Sequence, residues 1–201
     1  DADDLADGVH GAGRRCTLVA ADRPGLFSTV TGVLALAGLD VRSAWAGGRA
    51  DGRAVEVFDV DPAFGAEPDW ARVAHDLDAV LAGRLPLEAR LAERARSYAS
   101  RYRVAQHVPP EARVLVDNDA SERATVVEVR AADGVGVLHA IARALAELAL
   151  DVRFARISTL GHEVVDAFYV VDAGGHKLAH PDQRAAVEAA VLHALAQARS
   201  T

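Results

Sequence analysis

The sequence predicts an α+β fold made of two copies of one unit, each with the order β-α-β-β-α. Two observations carry this. The chain repeats itself: laid over the second half without gaps, the first half puts Asp22 on Asp133, Gly25 on Gly136, Leu34 on Leu145 and Ala35 on Ala146. Leu39-Asp40-Val41-Arg42 then falls on Leu150-Asp151-Val152-Arg153 and Ala44 on Ala155, with Leu26, Phe27 and Val30 opposite Val137, Leu138 and Ile141. After a one-residue slip, AVEVFDV falls on VVDAFYV, Phe58 on Phe168. A repeat of this length marks a duplicated structural unit. Within each half, moreover, the apolar period switches between that of a strand and that of a helix at matching places.

The elements follow in order. Residues 1–12 are acidic and polar and read as a flexible segment, followed by a first unit over 13–85. Arg14 to Ala21 and, in the second half, Ala124 to Ala131 are rich in β-branched or apolar residues and read as strands. Leu26, Val30, Val33, Leu34 and Ala37 share one helical face, as do Val137, Ile141, Ala144, Leu145 and Leu148. Two strands follow in each half, joined at Arg49-Ala50-Asp51-Gly52 and at Leu160-Gly161-His162, turns of the kind that close hairpins. Helices come next, over Asp69 to Ala82 (Val73, Leu77, Val80 and Leu81 apolar) and over Pro181 to Ala198 (Val187, Val191, Leu192 and Leu195 apolar).

A fourth strand would complete a ferredoxin-like βαββαβ sheet in each unit. For the second unit, over 112–201, the spare strand is Ala112 to Val116. The turn-rich Asp117-Asn118-Asp119-Ala120-Ser121 makes it a hairpin partner of Ala124 to Ala131. The linker, 86–111, holds an amphipathic helix from Pro86 to Arg103 with Leu87, Leu91, Ala95 and Tyr98 on one side, and ends at His107-Val108-Pro109-Pro110. Its arginines (Arg90, Arg94, Arg96, Arg101, Arg103) read as a solvated face rather than a partner patch.

Composition narrows the function. With 51% hydrophobic residues the chain can build a core, and with 25% charged residues it is not globally disordered. A formal net charge of −7 lacks the basic footprint that nucleic acid or an anionic membrane requires. No apolar run approaches the ~20 residues of a membrane span. The single cysteine, Cys16, excludes a disulfide within the chain and suits a cytoplasmic setting. The acidic start is not a signal peptide, and the absence of any Met leads us to expect a segment of a longer protein.

The loop Asp22-Arg23-Pro24-Gly25 joins the first strand to its helix. Proline there fixes φ and removes an amide that a helix start would leave unpaired. Glycine permits a backbone conformation, and a close approach, that a Cβ would block. The first helical amides and the helix dipole favour a carboxylate or phosphate, while Asp22 can cap the helix or meet an ammonium. An anion-binding helix start beside an acid suits a zwitterion. A plain strand-to-helix turn is the simpler reading of the loop taken alone.

Asp22-Arg23-Pro24-Gly25-Leu26-Phe27 with Leu39-Asp40-Val41, and Asp133 to Leu138 with Leu150 to Gly161, resemble the ACT domain, a small βαββαβ regulatory unit. Continued through Glu163 to Val170, the second stretch is similar to the paired ACT domains at the C-terminus of the bifunctional uridylyltransferase/uridylyl-removing enzymes, which modify the nitrogen-signalling PII protein. The resemblance runs from about Arg14 to Ala198. It implies glutamine sensing, with the signal passed to catalytic domains outside this chain. Those domains would use Mg and a nucleoside triphosphate, and this chain itself would hold no catalytic residue and no cofactor. It also implies a ligand at the strand-to-helix loops: at Asp22, Arg23, Gly25, Leu26 and Phe27 in the first copy, and at Asp133, Val135, Gly136, Val137 and Leu138 in the second, facing Ala155, Arg156 and Ile157. Partners would be PII, the parent's catalytic domains and a second copy in a homodimer. In the second loop Gly134-Val135 replaces Arg-Pro, which implies a looser turn.

Other chemistry is weaker. Gly134-x-Gly136 begins a dinucleotide fingerprint, but His139 stands where its third glycine belongs, and a hairpin follows the helix where a parallel strand is needed. Asp59-Val60-Asp61 and Asp76-Leu77-Asp78 could hold a metal, yet no phosphate loop precedes them. His75-Asp76 lacks the further ligands of a metal phosphohydrolase, and His176 and His180 fall in a loop. Cys16 reads as a buried small apolar side chain. The remaining alternatives are ligand-free pairing of the units and a regulatory region of another enzyme of amino-acid metabolism.

Overall fold

The computed structural model describes residues 5–63, 65–101, 110–160 and 162–200. The first half contributes β1 (Gly8–Ala12), β2 (Arg15–Ala21), α1 (Leu26–Ala37), β3 (Leu39–Gly48), β4 (Arg53–Pro62) and α2 (Trp70–Leu81). After the linker helix α3 (Leu87–Arg101), the second contributes β5 (Arg113–Asp117), β6 (Thr125–Ala132), α4 (Val137–Glu147), β7 (Asp151–Arg156), β8 (Thr159–Leu160), β9 (Glu163–Val171) and α5 (Pro181–Ser200). No helix among the described residues is long and apolar enough to cross a membrane.

The strands form one antiparallel sheet in the order β1-β2-β4-β3-β7-β9-β6-β5, with β8 paired to β9. Repeat partners sit symmetrically about its middle. The units join edge to edge, Ser43, Ala44 and Trp45 of β3 opposite Arg156, Ala155 and Phe154 of β7. The helices α1 and α4 pack on each other over this seam, with α2 beside α1 and α5 beside α4. Phe58 and Phe168, matched by the repeat, are both fully buried, and Phe58 stacks on Phe27 at 5.5 Å between ring centroids. The shared Leu-Asp-Val-Arg ends in a β-bulge in both copies, between Val41 and Ser43 and between Val152 and Phe154.

Each unit is ferredoxin-like in its packing, but both take the fourth strand from the N-terminal side. For the second unit this is the expected hairpin of β5 with β6, Val114 opposite Val129. For the first it corrects the flexible reading of residues 1–12, because Gly8–Ala12 form β1 against β2. Glycine hides this strand from pattern reading, yet Gly11 is what the packing needs. A Cβ there would lie 2.0 Å from the Trp70 ring of α2, whose Nε1 donates to the Gly13 carbonyl (3.1 Å).

The linker helix also differs from a free connector. Leu87 and Leu91 are buried and α3 packs on α1, while Tyr98 is exposed and Arg90 and Arg96 face solvent. Arg103 and His107-Val108-Pro109 lie outside the described residues, as does Gly161 of the second hairpin turn. Leu148, read as part of the apolar face of α4, instead caps its C-terminus and is 37% exposed.

The two α-to-β turns test the symmetry. Gly38 follows α1 at φ 77, where glycine is at ease; its counterpart Ala149 is held at φ 55. A left-handed alanine carries about 1–2 kcal/mol of strain, partly offset by the lower chain entropy of alanine when unfolded. Ala149→Gly should therefore raise the unfolding free energy by roughly 0.5–1 kcal/mol in urea titration, and Gly38→Ala should lower it.

Candidate functional site

Both strand-to-helix loops are built alike. Gly25 (φ 78, ψ 8) and Gly136 (φ 83, ψ 3) stand at the N-caps of α1 and α4 in the left-handed region. Upstream, the Asp22 N–H donates to the Gly52 carbonyl (3.4 Å) and the Asp133 N–H to the His162 carbonyl (2.9 Å). The turns close through Leu26 N–H to Arg23 O (3.2 Å) and Val137 N–H to Gly134 O (3.2 Å). Gly134-Val135 thus closes the same turn as Arg-Pro. One expectation changes. No side chain caps α1, so Asp22 is not its cap. Gly25 sits at positive φ, which glycine adopts without strain, and a Cβ there would meet, within the protein, only Ser28 Oγ at an ordinary 3.6 Å. Among the described residues no backbone carbonyl accepts from the Phe27 or Ser28 amide, as is usual in the first turn of a helix.

The first loop borders a cavity of about 260 Å³ at the junction of the two units. Asp22, Arg23, Gly25, Leu26 and Phe27 line one side and Ala46-Gly47-Gly48 of β3 another. The second unit closes it with Ala142 and Ala146 of α4 and with Leu150-Asp151-Val152-Arg153. Two guanidinium groups and two loop or strand-start carboxylates therefore share a space of small-molecule size.

Glu56 of β4 also lines this cavity, a residue the sequence reading passed over. It is 4% exposed, and its Oε2 is the one buried side-chain nitrogen or oxygen among the described residues with no hydrogen-bond partner. Burial, and then the nearby Asp22 charge, pushes its carboxyl up to about 8. The repeat places Asp166 at the same point of the second unit, 2% exposed and pushed up to about 7 by burial, against the opposing Ser158 amide, and by Asp133. The signal was present: in AVEVFDV, Glu56 falls in alternation with Ala54 and Phe58 on the inward face.

The second loop has different surroundings. Leu91 of α3 lies 3.9 Å from where a Cβ on Gly136 would stand. Arg94 of α3 acts on Asp40, whose carboxyl burial and Asp133 hold above the usual range against Arg42 and Arg94. Glu88 Oε1 is 2.7 Å from His139 Nε2, and His139 Nδ1 donates to the Ser28 carbonyl (2.6 Å). The linker helix thus lies over the second loop and is tied to α4 beside it. Val137 is buried, Val135 and Leu138 partly so. Ala155 and Arg156 sit in the seam opposite Ala44 and Ser43, and the Ile157 N–H donates to the Arg42 carbonyl (3.0 Å). These three do not line the first cavity, whose second-unit wall is built instead by Leu150 to Arg153, with Ala142 and Ala146 of α4.

The other candidates are occupied or scattered. Asp59 pairs with Arg15 (2.7 Å), and Asp61 with Arg14 (2.5 Å) and Arg42 (2.7 Å). Both carboxyls are held below their ordinary range by those guanidinium groups. Cys16 is buried, and burial pushes its thiol up to about 12.

Residues 125–180 match the family model of the ACT domain. The second unit is an ACT domain. The first is joined to it as a structural repeat of the same elements. The chain is also similar to bifunctional uridylyltransferase/uridylyl-removing enzymes. It is 40% identical over 185 residues to that of Azospirillum brasilense, covering 90% of this chain and 20% of the relative. Against the enzyme of Rhodospirillum rubrum the figures are 40% over 185 residues, 90% and 19%, and against that of Gluconobacter oxydans 37% over 189 residues, 92% and 20%. The chain therefore spans about 20% of the length of the curated relatives it matches. Among solved structures, aspartate kinase from Synechocystis aligns with 94% of this chain and 27% of its own at 15% identity, with a TM-score of 0.22, too low to show a shared arrangement.

In this pair of units Glu56 has a measurable signature. Its carboxyl rises from 4.5 unfolded to about 8 folded, so the fold prefers the neutral acid. That contribution is complete below 4.5 and is lost as pH rises through about 8. The unfolding free energy should accordingly fall more steeply from pH 5 to 8 in the wild type than in Glu56→Gln. Parallel curves in denaturant titrations would refute the buried acid.

Proposed function

We propose that this chain is the amino-acid-sensing regulatory region of a PII-modifying nucleotidyltransferase, with glutamine as its ligand and no catalysis of its own. One observation carries the reading: the cavity at the first loop is bounded by both units, so a molecule filling it contacts both at once. The helix-start amides of α1 and the guanidinium groups of Arg23 and Arg153 suit a carboxylate, and Asp22 suits an ammonium. The similarity to uridylyltransferase/uridylyl-removing enzymes supports the parent assignment. Magnesium, the nucleoside triphosphate and PII would then be handled by domains outside this chain, in a cytoplasmic and homodimeric protein.

Such a ligand regulates only through differential affinity. It would favour the paired arrangement of the units over any in which they separate, and so bias the domains attached to them. With α3 lying over the second loop, one ligand per chain is expected.

Calorimetry with L-glutamine, followed by the other amino acids, tests this. The expected result is a stoichiometry near one and a rise in melting temperature; ligand at 100 times Kd adds about 2.7 kcal/mol of stability. Gly25→Val should remove the binding heat and also cost stability, on the order of 1–2 kcal/mol, because valine resists positive φ. If no amino acid gives heat or a thermal shift, the sensor reading fails and a ligand-independent pairing module replaces it.

A further inference from the structure

The two units differ most informatively at their matched buried acids. In the second unit β7 stops at Arg156, and the Ser158 amide turns inward to donate to Asp166 Oδ1 (3.3 Å). In the first unit β3 runs on to Gly48, its register unbroken from Ser43, with Ala46 opposite Glu56 and Gly47 opposite Val55. Among the described residues no amide donates to Glu56 Oε2, which is left unpartnered on the wall of the cavity. An unpaired buried carboxyl oxygen carries a desolvation cost that a folded protein rarely accepts without a use.

We propose that the Glu56 carboxylate, together with Asp22, receives the ligand's α-ammonium group, so that the first loop selects molecules carrying that cation. This rests on the amino-acid reading above and assigns the group that enforces it. The charged surroundings fit. The loop brings Asp22 and Arg23, the start of β7 brings Asp151 and Arg153, and β2 brings the Cys16 thiol, itself pushed up by burial and by Glu56. Neither α1, α4 nor β3 adds a charged side chain to the wall. With the ammonium between Glu56 and Asp22, Arg23 is left for the carboxylate, together with Arg153, which is paired with Asp151 at 3.7 Å.

Below about pH 8 the empty site holds Glu56 as the neutral acid. When the ammonium arrives, the Glu56 O–H proton leaves to solvent and the resulting carboxylate accepts an ammonium N–H. Binding therefore releases up to one proton, and affinity rises with pH toward about 8.

The test is calorimetry of the whole chain at pH 7 in two buffers of different ionisation enthalpy. The probes are L-glutamine and its deamino analogue 4-carbamoylbutanoate, or the corresponding pair for whichever amino acid binds tightest. The wild type should bind the amino acid with proton release and reject the deamino analogue. Glu56→Gln should weaken amino-acid binding on the order of 10- to 100-fold, abolish the proton release and narrow the gap between the two probes. The proton count and the discrimination are read on the wild type, so they stand even if the variant folds poorly. Amino-acid binding without proton release, or equal affinity for the deamino analogue, would overturn the role of Glu56 and leave the sensor reading intact. Failure of the wild type to bind any amino acid would overturn both.

Discussion

Everything distinctive about this molecule depends on the pairing of β3 with β7. Ala44 and Ala155 face each other there at almost no exposure. Two small residues at the centre of the seam let α1 and α4 close over it, so the units share one sheet and one helical layer. Edge strands are otherwise a liability. Here each unit covers the other's inner edge, and the helices α2 and α5 lie against the outer strands β1 and β5.

The seam also creates the site. Antiparallel pairing about a near-twofold centre brings the start of β7 to the loop that opens α1, and the start of β3 to the loop that opens α4. A ligand space at the first of these is therefore a property of the pair and not of either unit. A molecule held there cannot be indifferent to whether the units remain together, which is what an allosteric region requires.

The halves repeat one set of elements, yet their surroundings are unequal. The linker helix lies against the second loop through Leu91 and the Glu88–His139 contact, and among the described residues no helix lies against the first in this way. The buried acids diverge the same way. Asp166 takes a hydrogen bond from the Ser158 amide of its own unit, whereas Glu56 Oε2 has no partner beside the cavity. The unit with the open loop is also the unit with the unpartnered acid.

Much of this was legible in residues alone. The repeat, the helix limits of α1, the Asp51-Gly52 hairpin and the left-handed glycines of both loops are local matters, governed by periodicity and by φ. The strand β1 was not legible, because Gly8, Gly11 and Gly13 erase the apolar alternation and only Trp70, packing from a distant helix, makes glycine the right choice. The acids were not legible as a pair, because a strand pattern reports which way a side chain points and not whether a partner waits there. The sequence by itself determined two ferredoxin-like units and the loops that could meet a ligand. Only the tertiary structure decided which loop stays open and which carboxyl beside it lacks a partner, because both depend on where α3 and the inner edge of the other unit come to rest.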